Sequence, residues 1–272
     1  MDEQGVLKVV PVLALMWVRG CGMLAVLPVM GSKAGQGWSV RFPIAMAIAL
    51  PSFAHIHARP LPELVLLEGA WLTLREFVIG ALCGAFFLPL FAVPRTAGAL
   101  IDQQAGATSI QLFDPGSAEG STTPFADLFE QCALYAFVLS GGLFMLGEMY
   151  AYSYAAWPVG EQSWPDLRAF ATALAPDGFV VLFTHAIGHA APYVTVLLLC
   201  EYSIGLIGRA APQINVVTTS AALKMWFVLT AIYLGGSNAF DAVPRAAGRA
   251  LQDGVAFLNI GLNQQLGVEN RP

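Results

Sequence analysis

Long apolar runs without a charged residue most constrain what this chain can fold into. The segments 77–93, FVIGALCGAFFLPLFAV, and 178–200 contain no Asp, Glu, Lys or Arg. A transmembrane helix needs about 20 mostly apolar residues, because its backbone polar groups must be paired inside the lipid. Of the 272 residues, 57% are hydrophobic and 11% are charged. Because a soluble domain averages about 25% charged residues, the composition indicates an integral membrane protein.

Six apolar segments are candidates for membrane helices. They lie at about 6–30, 40–56, 64–93, 128–156, 178–208 and 213–240. Glycine and proline recur inside these segments, so we expect closely packed and partly broken helices. The predicted fold is all-α, a single domain over 1–272 built of hairpin-like, partly broken helices. Polar loops are predicted at 94–127 and 157–177, and the tail, 241–272, mixes short amphipathic pieces with polar residues.

Charged residues also lie within or beside these apolar segments. Each costs roughly 3 kcal/mol at the centre of a bilayer, so such residues usually pair, face the protein interior or lie near the membrane surface. They include Arg19, Arg75, Glu76, Glu148, Glu201, Arg209 and Lys224. Two explanations fit this pattern: helices that pack against protein on several sides, or an ordinary bundle with charges at its helix ends.

Candidate catalytic and metal-binding groups are few. His55 and His57 form an HxH pair, and His185 and His189 lie one helical turn apart. A metal site needs further ligands, and Ala186 stands where an HExxH motif has its glutamate. Neither GxxxxGK[ST] nor GxSxG occurs, so we expect no enzyme activity and no cofactor. The net charge of −5 and the absence of basic runs argue against nucleic acid as a partner.

Other classes of function stay open on these observations. A small-molecule or ion secondary transporter would suit broken apolar helices with internal charges, although the two halves show no inverted repeat. An intramembrane metalloenzyme would use the four histidines. Glu148 and Glu201 could belong to a proton relay or could be anchors at helix ends.

The most specific motif is RxxPQxN, in GLIGRAAPQINVV at 205–217. Pro212 ends the preceding helix, and Arg209 complements the dipole of that helix end. The side chains of Gln213 and Asn215 can satisfy the freed backbone groups. The motif resembles the signature of the T-subunit family of the bacterial type III secretion export apparatus (the SctT family, which includes YscT and SpaR and is related to flagellar FliR).

More of the chain carries this resemblance. REFVIGALCGAFF at 75–87 is similar to the family's charged, glycine-spaced third helix. The segment 101–124 is similar to its central loop, with the FDP element at 113–115. WPVG at 157–160 and Lys224 also match, so the resemblance extends from about residue 10 to 240 and is nearer to the injectisome branch than to the flagellar one.

The resemblance implies a non-enzymatic core subunit of an export gate. It implies that R-type and S-type subunits join this chain in a hetero-oligomer around a pore for unfolded secreted proteins. A U-type switch protein, the inner rod and membrane lipids are the further partners implied. The implied location is the bacterial inner membrane, multi-pass, with much of the assembly above the bilayer on the periplasmic side.

The resemblance also implies roles for two groups of residues. The central loop would plug the pore at rest, through Gln103, Gln104, Gly106, Ile110, Leu112, Phe113, Asp114, Pro115 and Gly116. Assembly and bracing of the helical hairpins would fall to Arg75, Glu76, Arg209, Pro212, Gln213, Asn215 and Lys224. Whether the apolar trio of the loop or its glutamine pair makes the closing contact stays open.

Overall fold

The protein is all-α in a computed structural model that describes residues 3–28, 37–53, 66–106, 123–159, 164–174, 178–210 and 216–265. These ranges form ten helices: α1 (Glu3–Val26), α2 (Gly37–Phe53), α3 (Leu66–Ala85), α4 (Leu88–Ala105), α5 (Pro124–Leu139), α6 (Gly142–Ala156), α7 (Leu167–Leu174), α8 (Gly178–Ala210), α9 (Val216–Phe240) and α10 (Val243–Gln265). The expected fold class, an all-α protein with partly broken helices, is confirmed.

One described helix, α8, is by itself long and apolar enough to cross a membrane. The number rises to three if the bent pairs α3–α4 and α5–α6 each count as one broken span. Among the described residues, shorter apolar stretches lie in α1 (Val10–Val26), α2 (Trp38–Pro51) and α9 (Leu223–Gly235). By length and composition the described helices therefore offer one to three spans, fewer than the six candidate segments of the sequence.

The apolar segment 64–93 forms two helices rather than one. Between α3 and α4 the Phe87 N–H donates to the Gly84 carbonyl at 3.0 Å, which closes a turn. Pro89 lies in the first turn of α4, where a missing N–H costs nothing. From there α4 continues to Ala105, so the first part of the loop predicted at 94–127 is helical.

The segment 128–156 is also divided, into α5 and α6. The Ser140 N–H donates to the Ala136 carbonyl at 3.0 Å, and Gly141 then takes the left-handed conformation with φ +82°. Glycine adopts this conformation without the steric cost that a side chain brings, and it commonly ends a helix in this way. The long apolar run gave no sign of this two-residue break, at Ser140 and Gly141, which only the backbone geometry shows.

Two regions predicted as irregular contain further helices. α7 lies inside the loop predicted at 157–177, and α10 makes one helix of 23 residues out of most of the tail. Its buried positions recur at helical spacing, at Val243, Ala247, Gly254, Phe257, Leu258 and Gly261. This spacing puts them on one side of the helix, which explains why a tail of mixed composition folds as one element.

The chain divides into two compact units, and the first comprises Met1–Pro89, Gly141–Pro176 and Ala246–Pro272. Its tightest contact joins α1 to α3. A Cβ added at Gly22, Gly80 or Gly84 would overlap the backbone of the facing helix. Small residues at such a contact let two helix backbones approach closely.

The second unit comprises Leu90–Ser140 and Asp177–Arg245. Parts of α4, α5, α8 and α9 enclose its core, where the rings of Phe129 and Tyr193 meet edge to face at 5.7 Å. The outer sides of α8 and α9 remain apolar: Trp226 is 71% exposed and Tyr233 is 88% exposed. Such a surface is typical of helices that face lipid or other protein chains.

Candidate functional site

Three charged side chains form a buried ionic cluster in the first unit. Arg19 of α1 and the neighbours Arg75 and Glu76 of α3 each have 0% of their surface exposed. Arg19 Nε donates to Glu76 Oε2 at 2.6 Å, and Arg75 Nη1 donates to Glu76 Oε1 at 2.9 Å. One carboxylate thus joins two guanidinium groups, and breaking a buried ion pair of this kind is strongly destabilising.

Arg19 also ties this cluster to α6. Its Nη1 donates to Ser153 Oγ at 3.0 Å, and its Nη2 donates to the Trp157 carbonyl at 2.8 Å. The guanidinium carbon lies 3.8 Å from the centre of the Tyr154 ring. The cluster therefore joins α1, α3 and α6, and it contains two of the residues to which a bracing role was assigned. Arg19 itself was assigned no role, although its position in an apolar run was a signal.

The predicted plug residues are only partly within the described chain. Gln103 and Gln104 lie in the last turn of α4, and the Gly106 N–H donates to the Gln103 carbonyl at 3.3 Å where the helix ends. Gln103 is exposed, whereas Gln104 Nε2 donates to Glu201 Oε2 at 3.2 Å. The other six, Ile110, Leu112, Phe113, Asp114, Pro115 and Gly116, lie outside the described residues.

Asp102 is a buried acidic residue to which no role was assigned from the sequence. Its Oδ1 accepts the Phe125 N–H at 3.2 Å, and its Oδ2 accepts the Ala126 N–H at 3.0 Å. These are free amide groups at the first turn of α5, where a negative charge is favourable. Asp102 and Phe125 are 23 positions apart, and no pattern in the intervening sequence indicates this contact.

The structure describes the helices on both sides of the RxxPQxN motif but not the residues that join them. Arg209 lies in the last turn of α8, as expected, and is exposed. Pro212, Gln213 and Asn215 lie outside the described residues. Lys224, in α9, is largely buried, and its Nζ lies 3.3 Å from Glu201 Oε1.

The histidine pairs are not assembled into a metal centre in the described part of the chain. His185 is exposed and His189 half-buried on α8, whereas His55 and His57 lie outside the described residues. No group of three or more His, Cys, Asp or Glu residues suited to a metal occurs among the residues described. A cavity of about 410 Å³ between α8 and α9 is lined by Gly188, His189, Pro192, Tyr193, Val196, Ala231 and Gly235.

Apolar helices, a span-length α8 and charges held inside the protein define an all-α integral membrane subunit. The sequence model of the family described as bacterial export proteins, family 1, matches residues 10–249. The chain belongs to this family, which includes the T subunits of type III export apparatus. Its role accordingly lies in an apparatus that exports proteins.

Curated relatives support the same membership. The chain is 26% identical to Yop proteins translocation protein T of Yersinia pestis over 216 residues, 77% of this chain and 80% of the relative. It is 28% identical to secretion system apparatus protein SsaT of Salmonella typhimurium over 228 residues, 82% and 85% of the two chains. Flagellar biosynthetic protein FliR of Bacillus subtilis is 25% identical over 225 residues, 81% and 84% of the two chains.

Proposed function

We propose that this chain is a core, non-enzymatic subunit of a type III export gate in the bacterial inner membrane. With R-type and S-type subunits it would form the pore through which unfolded proteins pass. A U-type switch protein and the inner rod would contact the assembly, part of which would stand above the bilayer on the periplasmic side.

The apolar surface of the chain is the observation that carries this proposal. Large apolar side chains are exposed on most of the described helices, including Trp38 of α2, Tyr135 of α5, Phe144 of α6 and Trp226 of α9. Yet α8 is the one described helix that meets the criteria for a span by itself. Lipid around a few spans would not cover all of this exposed apolar surface. Neighbouring subunits would bury the rest of it.

Co-expression with the R-type and S-type subunits of the same system tests the assembly. A tagged copy of this chain is expected to retain both partners through affinity and size-exclusion purification. A chain that purifies alone as a stable monomer, with the two subunits absent, would contradict the proposal. Solute binding by that monomer would favour a transporter instead.

The central segment is proposed to close the pore at rest. Supporting this, residues 101–124 contain no Lys or Arg and are polar within an apolar chain. Deletion of 107–116 should make the assembled complex conduct ions when no substrate is present, and bilayer recordings of the purified complex measure this. A conductance equal to that of the parent complex would exclude the plug role. The deletion begins after Gly106, so the described end of α4 stays intact.

The RxxPQxN hairpin is proposed to brace α8 against α9 during assembly. The position of Arg209 at the end of α8 supports this, because a cation there complements the helix dipole. Arg209→Ala and Asn215→Ala should each reduce the yield of complex and the amount of protein secreted. If both variants assemble and secrete like the parent, the bracing role is wrong.

A further inference from the structure

The last turn of α4 makes polar contacts in two directions that the proposed function does not use. Asp102 and Gln104 are two residues apart, so their side chains leave the helix roughly 200° apart at about 100° per residue. Asp102 is bonded to the first turn of α5, and Gln104 is bonded to Glu201 on α8. A single turn of α4 therefore contacts α5 on one side and α8 on the other.

The contact with α5 is buried and tightly packed. Asp102 has 0% of its surface exposed, and both of its carboxylate oxygens accept backbone N–H groups. One turn earlier, a Cβ added at Gly98 would overlap the backbone of Phe125 and Ala126. Breaking this contact would leave the buried carboxylate and the two N–H groups without hydrogen-bond partners, which is energetically costly. We therefore expect the contact to persist while α5 is folded.

The contact with α8 is open to solvent. The Glu201 side chain is 55% exposed; its Oε2 accepts from Gln104 Nε2 at 3.2 Å, and its Oε1 forms an ion pair with Lys224 Nζ of α9 at 3.3 Å. Exposed bonds and ion pairs of this kind are individually weak. A small displacement of α8 can therefore break the bond to Gln104 while α4 and α5 remain folded.

We propose that Glu201 is a releasable link between the α8–α9 pair and the end of α4. Bonded to Gln104 and Lys224, it fixes the last turn of α4, and through Asp102 that turn fixes where α5 begins. Displacement of α8 breaks the Gln104–Glu201 bond and frees the last turn of α4 from α8, while α4 and α5 stay joined through Asp102. This inference rests on the proposed export-gate function and adds to it a residue that holds the resting arrangement.

Exchanging the donor and the acceptor tests the link. Gln104→Glu sets two carboxylates against each other and breaks the bond. The double variant Gln104→Glu/Glu201→Gln restores a carboxylate–amide pair in the opposite sense. Gln103→Glu is the matched control, because it adds the same charge one residue earlier at an exposed position.

Hydrogen exchange in the assembled, detergent-solubilised complex measures the link directly. Amides of residues 100–106 should exchange about fivefold faster in Gln104→Glu, the size expected for one exposed interaction, whereas the Phe125 and Ala126 amides, which are bonded to Asp102, should not change. The double variant and Gln103→Glu should exchange at the parental rate. Equal rates in Gln104→Glu and Gln103→Glu would overturn the proposal.

Conductance of the same complexes separates this inference from the proposed function. Gln104→Glu should leak ions in the absence of substrate, and the double variant should be closed again. If the 107–116 deletion leaks and Gln104→Glu does not, the link has no part in closure and the inference fails alone. If the deletion does not leak, the proposed plug fails, and the exchange rates still decide whether the link exists.

Discussion

At the scale of single residues, the charges inside apolar segments are explained by the partners that they meet. Arg19 and Glu76 are 57 positions apart in sequence and 2.6 Å apart in space. Glu201 meets both Gln104 and Lys224. Arg209, by contrast, is exposed in the last turn of α8. The two explanations left open by the sequence thus both occur, at different positions.

Removing the carboxylate of the buried cluster should destabilise the first unit strongly. Glu76→Gln removes the carboxylate that bonds both Arg19 and Arg75, and breaking a buried ion pair costs about 3–5 kcal/mol. Thermal unfolding of the purified complex, followed by tryptophan fluorescence, measures the loss. Glu68→Gln is the control, because this residue is exposed on the same helix and should change stability by less than about 1 kcal/mol. Similar losses for both variants would contradict a special role for the cluster.

Replacing a glycine of α3 by alanine should change stability according to the atoms that face that glycine. A Cβ at Gly80 would overlap the backbone of Arg19, whereas Gly69 of the same helix has nothing within 4 Å. Gly80→Ala should therefore force α1 and α3 apart and destabilise the complex by about 1–3 kcal/mol. Gly69→Ala should be neutral or stabilising by about 0.5–1 kcal/mol. The same unfolding measurement decides, and a neutral Gly80→Ala would rule out the close contact.

At the scale of elements, the breaks in the helices are more informative than the helices themselves. Apolar composition predicted helical segments across most of the chain, but it predicted one continuous segment for α3 and α4 and another for α5 and α6. A turn of two or three residues is invisible in a hydropathy average over about 20 residues. The sequence prediction divided α10 into short pieces because the polar side of this helix lowers its mean hydropathy. Its apolar positions nevertheless keep helical spacing.

The break between α5 and α6 should depend on Gly141. An alanine there must adopt the left-handed conformation, which costs about 1–2 kcal/mol, or straighten the chain. Gly141→Ala should lower the midpoint of thermal unfolding and the yield of complex. Gly147→Ala, within α6 and with open space at its Cβ, should leave both unchanged. If Gly141→Ala assembles normally with parental stability, the left-handed residue is not needed to form the break.

At the scale of the whole molecule, the exposed apolar surface connects the fold to the proposed assembly. The outward sides of α8 and α9 carry large side chains such as Leu199, Tyr202, Trp226 and Tyr233. The buried residues Tyr193, Leu197 and Val228 lie on the inner sides of these helices. Family membership places the chain in an export apparatus, and such surface is where neighbouring chains would pack.

A charge on that surface should therefore weaken assembly. Trp226→Glu places a carboxylate on the outward side of α9, where burial against a neighbouring subunit would cost several kcal/mol. Affinity purification should recover less than half of the R-type and S-type subunits relative to the parent, roughly the effect of 1 kcal/mol or more. Gln252→Glu, exposed on α10, should not change recovery. Normal recovery with Trp226→Glu would show that this side of α9 contacts neither subunit.

The sequence by itself determined the class of the protein, because composition and long apolar runs leave few folds that satisfy the backbone in lipid. It also determined the family, through motifs spread over most of the chain. Only the tertiary structure decided which charges pair, where the long runs break and that Asp102 caps α5. These contacts join residues that are 23, 57 and 97 positions apart in sequence. The spacing of residues within one segment does not indicate which distant residues meet.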